Sequence, residues 1–320
     1  MGNSNGGIKV FSVDANIFNL ANESESIEGF EYSTDNVADD NEMLMGINNQ
    51  TVIEFLNYPE TKVYIVVDKN QPTKLVAYNV LAGESIEIGN LGNHLLAQNE
   101  VLLWASDKKK ELKKNPNAEI INNDMIKEIN RLLFHGREGE VGIGEYRDVD
   151  YLGNPANVMI ANLVDGKRIR KENWTPERAG DGRIEKLMDK LVAWTNTEDF
   201  HSLDPVERAA MFHAQFIKIH PFRDGNGRTG RMILNYMLAI SGQPLTNIRG
   251  DAKQDYYKAI DSAIVDNDYD PLVSVIKNNS IKRSSDLFKA VMNYSNEKGA
   301  NREMPIVTRQ ISFNPTKIKE

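Results

Sequence analysis

His220 to Arg231 reads HPFRDGNGRTGR. Twelve residues hold one histidine, one carboxylate, one asparagine, three glycines and three arginines, and ordinary surface loops are not built this way. Gly225-Asn226-Gly227 leads into the start of a helix, where free backbone amides and the helix dipole make an anion site. Glycines let the backbone approach a phosphate closely. Arg228 and Arg231 stand three apart, so both can face the same anion, and guanidinium groups suit phosphate oxygens. Asp224 is suited to Mg2+, which takes one or two carboxylates together with substrate phosphates. His220 has the chemistry of a general base near neutral pH. Together these groups describe attack by a protein hydroxyl on a nucleotide phosphate, with the diphosphate charge held by arginine and metal.

Helices must position these groups. Asp204-Pro205-Val206-Glu207 reads as an N-cap, a proline at the first helical position and a capping glutamate. The helix behind it carries Ala209, Ala210, His213, Phe216 and Ile217 on one face. After the motif, Ile233, Tyr236, Met237 and Ile240 mark a second helix closed near Gly242. Upstream, Asp124 can cap a helix with Met125, Ile126, Ile129, Leu132 and Leu133 as its apolar positions and Gly136 at its end. Ile184, Leu187, Met188, Leu191 and Trp194 repeat at helical spacing. Residues 146–163, YRDVDYLGNPANVMIANL, have a Gly-Asn-Pro turn at their centre and are expected to form a short hairpin. The runs KVYIVVD and LVAYNVL, around a proline-containing turn, predict a small β-rich insertion at 62–88. The expected fold is mainly α, with residues 1–115 as an N-terminal region, 116–282 as a helical catalytic core and 283–320 as a C-terminal helix and polar tail.

GNGRTG also fits the G-x-G-x-x-G dinucleotide fingerprint, with Asp251 downstream. That fingerprint must follow a strand, and the residues ahead of it here have helical periodicity. The chain also lacks the Lys-Ser/Thr ending of a P-loop.

The 320 residues are 40% hydrophobic, enough for one large or two modest domains. A net charge of −8 gives no global field toward nucleic acid or anionic membrane. There is no cysteine, so disulfides and thiolate metal sites are excluded and a reducing interior is the natural setting. Apolar runs are too short to cross a bilayer. The sequence predicts a soluble, cytoplasmic protein.

HPFRDGNGRTGR resembles the Fic-domain signature, His-x-Phe-x-Asp/Glu-Gly-Asn-Gly-Arg-x-x-Arg, at every fixed position. GEYR before the expected hairpin, the helix AAMFHAQFIKI and the tyrosine-containing helix followed by DPL are also similar to that family, over roughly residues 119–280. The resemblance implies a compact helical core that transfers AMP from ATP to a Ser, Thr or Tyr hydroxyl of a protein. It implies His220 as the base, Phe222 as the loop's anchor in the core and Asp224 as the ligand of Mg2+. It implies an anion cradle at Gly225 and Gly227, with Asn226 on the α-phosphate, Arg228 on the β-phosphate and Arg231 on the γ-phosphate. The hairpin flap around 149–160 would register an unknown target protein by strand addition.

Residues 24–29, SESIEG, fit the same family's inhibitory pattern, Ser/Thr-x-x-x-Glu-Gly/Asn. By that resemblance Glu28 pairs with Arg231 in place of the γ-phosphate, and Ser24, one turn earlier, holds the segment near the cradle. A bidentate carboxylate–guanidinium pair is strong and directional. The same glutamate could also support removal of AMP.

Plainer readings apply elsewhere. His213 lies on the face of the helix before the motif and is expected to be a buried structural histidine. KRIRK at 167–171 is expected to be a solvated loop. Tyr256 and Tyr257 are open between an adenine pocket and simple packing. The alternatives to AMP transfer are transfer of another nucleotide or phosphate-linked group, and a silenced nucleotide-binding regulator. Gly227 and Arg231 favour AMP over a kinase-like variant, and His220 with Asp224 argues against silencing. Assembly controls the inhibitory helix in family relatives, so a homodimer stays open.

Overall fold

The computed structural model describes residues 9–13, 63–67, 75–79, 84–87 and, with short gaps, 89–284. The strands are described by backbone alone. Ser24, Glu28 and the 24–29 pattern lie outside the described residues, as does the tail from 285.

The described part is mainly helical. Helices α1 (Gly89–Lys114), α2 (Asn123–Leu133), α3 (Arg183–Trp194), α4 (Glu198–Ser202), α5 (Pro205–Ile219), α6 (Asn226–Ile240) and α7 (Lys253–Val265) are followed by α8 at residues 270–282. Helix α6 is the axis of the core. Nearly all its residues are buried, and α1, α2 and α5 pack around it. A helix buried on all sides is apolar all round, and from Met232 to Ile240 α6 largely follows that rule. Its first turns do not, because Arg228 and Arg231 are buried there. Burying charge without a purpose is unfavourable, so the site begins where the apolar rule fails.

Local sequence explains the helix ends. The Asp204 carboxylate accepts the amides of Val206 (3.0 Å) and Glu207 (3.4 Å), and Pro205 takes the first position of α5. α6 closes as its glycine predicts: Gly242 has φ +73°, its amide reaches Ala239 O (3.0 Å), and the Gln243 amide reaches Leu238 O (2.9 Å). These are the two bonds of a Schellman ending. The cap of α2 differs from expectation. Asn122, in an extended conformation, accepts the Met125 amide at 2.9 Å, and Asp124 falls inside the first turn. Asparagine has the reach for the third amide, and the carboxylate two residues later still favours the dipole.

Four short strands precede the helices. β1 (Lys9–Val13), β2 (Val63–Val67), β3 (Leu75–Asn79) and β4 (Glu84–Glu87) pair antiparallel in chain order, with Ile65 opposite Phe11 and Ala77. Further on, β5 (Ala161–Val164) pairs with β6 (Lys167–Arg170), so the backbone of the basic run at 167–170 is a strand and not a loop. Within 149–160 the pairing is a single bridge, Val149 with Pro155, around a tight loop. The Asp150 carboxylate closes that loop by accepting the amides of Leu152 (2.8 Å) and Asn154 (2.9 Å). Among the described residues no helix is long and apolar enough to cross a membrane.

Candidate active site

The motif fills the turn between α5 and α6. His220 ends α5 in the left-handed conformation, φ 55° and ψ 59°, with its amide bonded to Phe216 O at 2.9 Å. Its Nδ1 lies 3.2 Å from Ile217 O. A carbonyl can only accept, so this bond puts the proton on Nδ1 and makes Nε2 the basic nitrogen. Phe222 is fully buried between Phe216 and Tyr146, with ring centroids 6.3 and 5.3 Å away. The apolar anchor fixes the loop from below.

Asn226 braces the same loop. Its Oδ1 accepts the Phe222 amide (2.8 Å) and its Nδ2 donates to the Phe222 carbonyl (2.9 Å). The sequence led us to expect this side chain on a phosphate; two of its hydrogen bonds instead hold the loop's own backbone. Gly225 forms the N-cap of α6 with φ +78°. A methyl group there would stand 2.9 Å from Asn130 Nδ2 and 2.9 Å from Phe134 Cε2, so the position is closed to side chains. The first amides of α6 follow at once, at Asn226, Gly227 and Arg228.

The charges are placed unequally. Arg228 and Arg231 are each only 6% exposed, and the Arg228 guanidinium lies 5.1 Å above the Phe134 ring. The Asp224 side chain is 74% exposed. Its Oδ1 accepts the Gly225 amide at 2.6 Å and lies 3.8 Å from Arg228. Both contacts fall on Oδ1, so Oδ2 is the oxygen open to an incoming cation. A single outward carboxylate beside a helix start fits Mg2+, which is held by one or two carboxylates and keeps several waters. No cluster of three metal-ligating side chains occurs among the described residues.

Two supports were not visible in the sequence reading. Asn130 of α2 donates to Asp224 O (3.0 Å) and Thr229 Oγ1 (3.4 Å) and accepts the Gly144 amide (3.0 Å). It stands with Ile126, Ile129 and Leu133 on the buried stripe of α2. A polar residue on an apolar stripe is a readable signal, because it must have partners. Arg147 is the second. It is 1% exposed, and its guanidinium bonds to the main-chain carbonyls of Ile219 and His220. Burial lowers its pKa to about 10, so it stays cationic at neutral pH. Nothing in the periodicity around GEYR marks it.

His213 is the structural histidine expected. Its Nδ1 meets Gly230 O at 2.9 Å and its Nε2 meets the Tyr256 hydroxyl at 2.7 Å. Tyr256 is buried with its hydroxyl on that imidazole, and the ring of Tyr257 lies 5.6 Å from it. Gly230 lets α6 press against the imidazole: a methyl group there would be 3.1 Å from His213 Cε1. Burial pushes the His213 pKa down to about 4; the Arg231 charge acts in the same direction and the Gly230 bond opposes it. The sign follows directly. Below about pH 6.5 the unfolded chain takes up a proton that the folded chain refuses until about pH 4, so stability falls as pH drops through that window. The full effect is about 3 kcal/mol at 1.36 kcal/mol per pKa unit. Thermal unfolding from pH 7 to 4 should show it, and His213→Gln should flatten that part of the slope. An unchanged slope in the variant would remove His213 as its cause.

Residues 120–238 match the family model described as Fic, the Fic/DOC family. Among curated relatives, protein adenylyltransferase fic-1 of Caenorhabditis briggsae is 30% identical over 204 residues, covering 63% of this chain and 39% of that protein. Protein adenylyltransferase Fic of Nematostella vectensis is 40% identical over 80 residues, covering 25% of this chain and 19% of that protein. The chain thus spans less than half the length of these relatives. Among solved structures, a Fic-domain signalling protein from Bacteroides thetaiotaomicron superposes with TM-score 0.56 at 21% identity, covering 87% of this chain and 88% of that one. Fic-1 from C. elegans superposes with TM-score 0.52 at 20% identity, covering 89% and 66%. At these identities the superpositions establish the fold.

Proposed function

We propose that this chain, whose residues 120–238 match the Fic/DOC family model, transfers AMP from ATP to a Ser, Thr or Tyr hydroxyl of a protein, itself included. The observation that carries the reading is the junction of α5 and α6. It brings an imidazole, a helix start closed to side chains, two buried arginines and one outward carboxylate into a single turn. Curated relatives named protein adenylyltransferase support it.

In this mechanism His220 Nε2 takes the proton of the target hydroxyl. The hydroxyl oxygen forms a bond to the α-phosphorus, the bond from that phosphorus to the α–β bridging oxygen breaks, and pyrophosphate leaves. The amides at the start of α6 and the guanidinium groups of Arg228 and Arg231 hold the charge that builds on the leaving phosphates. Asp224 would hold Mg2+, which when bound neutralises phosphate charge. Asn226 fixes the loop geometry, with its remaining amide hydrogen available to a phosphate. The segment 149–160 serves as the flap on which a target segment docks, and Val149, Tyr151, Leu152 and Met159 are its exposed apolar side chains. The 62–88 strands form a small insertion outside the catalytic core of 116–282.

Glu28 and Ser24 form the inhibitory element, with Glu28 occupying the γ-phosphate position on Arg231. A hydrogen bond to a charged group is worth about 1.5–3 kcal/mol, so Glu28→Gly should raise self-labelling by roughly 10- to 100-fold. The test compares ATP radiolabelled on the α-phosphate with ATP radiolabelled on the γ-phosphate. Label from the first and none from the second is the expected result. Label from the γ-phosphate would replace AMP transfer with phosphate transfer. No rise with Glu28→Gly would end the inhibitory assignment.

A further inference from the structure

Three successive carbonyls surround the base, and all three are bound by one residue. The Arg147 amide donates to Pro221 O (2.8 Å), its Nε to His220 O (2.7 Å) and its Nη2 to Ile219 O (3.0 Å). The guanidinium reaches two more segments: Nη1 to Ala156 O (3.3 Å), at the foot of the 148–156 loop, and Nη2 to Glu177 O (2.5 Å). Four guanidinium N–H groups are thus spent on main chain from three separate stretches.

This arrangement matters because His220 is not in a relaxed conformation. A non-glycine residue at φ 55° is held there by its surroundings. Arg147 supplies those surroundings on the carbonyl side, and the Phe216 carbonyl supplies them on the amide side. The same guanidinium fixes Ala156, and the Ala156 amide in turn bonds Asp148 O at 2.9 Å, which shuts the loop. A planar fork can address carbonyls in several directions at once, and a lysine ammonium, a point charge on a flexible stem, cannot.

We propose that Arg147 is a positioning residue that sets the distance between the base and the segment receiving the target, so that the hydroxyl and His220 Nε2 meet in register. The inference rests on the AMP-transfer reading. It assigns Arg147 no contact with ATP, whose cradle lies on α6.

The test uses the full chain in the Glu28→Gly background, with Arg147→Lys and Arg147→Gly. A misplacement of about 1 Å costs on the order of 10²-fold in rate, so Arg147→Lys should lose about that much in single-turnover self-labelling. Binding of a non-hydrolysable ATP analogue should change by less than about threefold, since an interaction absent from nucleotide binding leaves it intact. Added guanidinium ion should restore part of the rate to Arg147→Gly and none to His220→Ala. Hydrogen exchange gives a readout that needs no activity: peptides over 148–157 and 219–223 should loosen together in Arg147→Lys, while those over α3 and α7 stay as in the parent. Loosening of only one of the two segments, loosening spread evenly over the chain, or a rate loss matched by the loss of analogue binding would each overturn the proposal. Absence of label in the parent itself would sink the AMP-transfer reading, and the exchange pattern would still decide whether Arg147 couples the two segments.

Discussion

His220→Ala is expected to slow AMP transfer by about 10²- to 10⁴-fold, the usual contribution of a positioned general base. The loss should fall on the chemical step. The side chain leaves a position at the end of α5, while the parts assigned to ATP belong to α6: its first amides, Arg228 and Arg231. The buried anchors of the loop are independent of the imidazole, because Phe222 is held by Phe216, Tyr146 and Asn226. The alanine protein should therefore fold and bind the ATP analogue as the parent does. Single-turnover labelling set beside equilibrium binding checks both halves. A variant that labels at the parental rate would remove His220 from the mechanism. A variant that loses analogue binding in proportion to rate would make it a nucleotide-binding residue.

The imidazole, the arginines and the carboxylate were legible in the sequence because their chemistry is local. All lie within twelve residues, between one helix whose apolar face runs through Ala209 to Ile217 and another whose apolar positions begin at Met232. Asp204, Pro205 and Gly242 announced their helix ends for the same reason: each cap is satisfied by amides or carbonyls within five residues. The supports were not legible, since their bonds cross long stretches of chain. Asn130 reaches Asp224 over 94 residues and Arg147 reaches His220 over 73. No periodicity encodes such a meeting. Asn226 is the instructive intermediate. Its position in the motif was plain, and its partner, the backbone of Phe222, is only four residues away. Asparagine type alone fits a phosphate or a loop brace equally well, because its amide can donate and accept in both settings. The paired strand at 167–170 was missed because a run of like charges carries no alternation to read. The gaps at Arg147 and Asn130 share one origin: the sequence shows which groups are present, while their burial decides what they must bond to.

Gly225→Ala should be the most damaging single change in the cradle, and for two separable reasons. The first is conformational. At φ +78° an L-residue is disfavoured by about 1–2 kcal/mol. The second is steric, with a new methyl group 2.9 Å from both Asn130 Nδ2 and Phe134 Cε2. Neither neighbour can swing aside cheaply. Asn130 is tied to Asp224 O and the Gly144 amide, and Phe134 is buried beneath the Arg228 guanidinium. Overpacking of this kind adds about 1–3 kcal/mol, so the total is about 2–5 kcal/mol of lost stability. Gly182→Ala separates the two terms. Gly182 has φ +63° at the start of α3 and no atom within 4 Å of the added methyl, so only the conformational part applies. Thermal unfolding of the two variants gives the steric part by difference. Activity should divide them further: moving Asn130 releases the Asp224 carbonyl and moving Phe134 shifts Arg228, so Gly225→Ala should lose at least about 10²-fold in transfer, while Gly182→Ala keeps the parental rate. If Gly225→Ala were as stable as Gly182→Ala and fully active, the loop would have room to yield, and the close approach of α2 to the cradle would carry no functional weight.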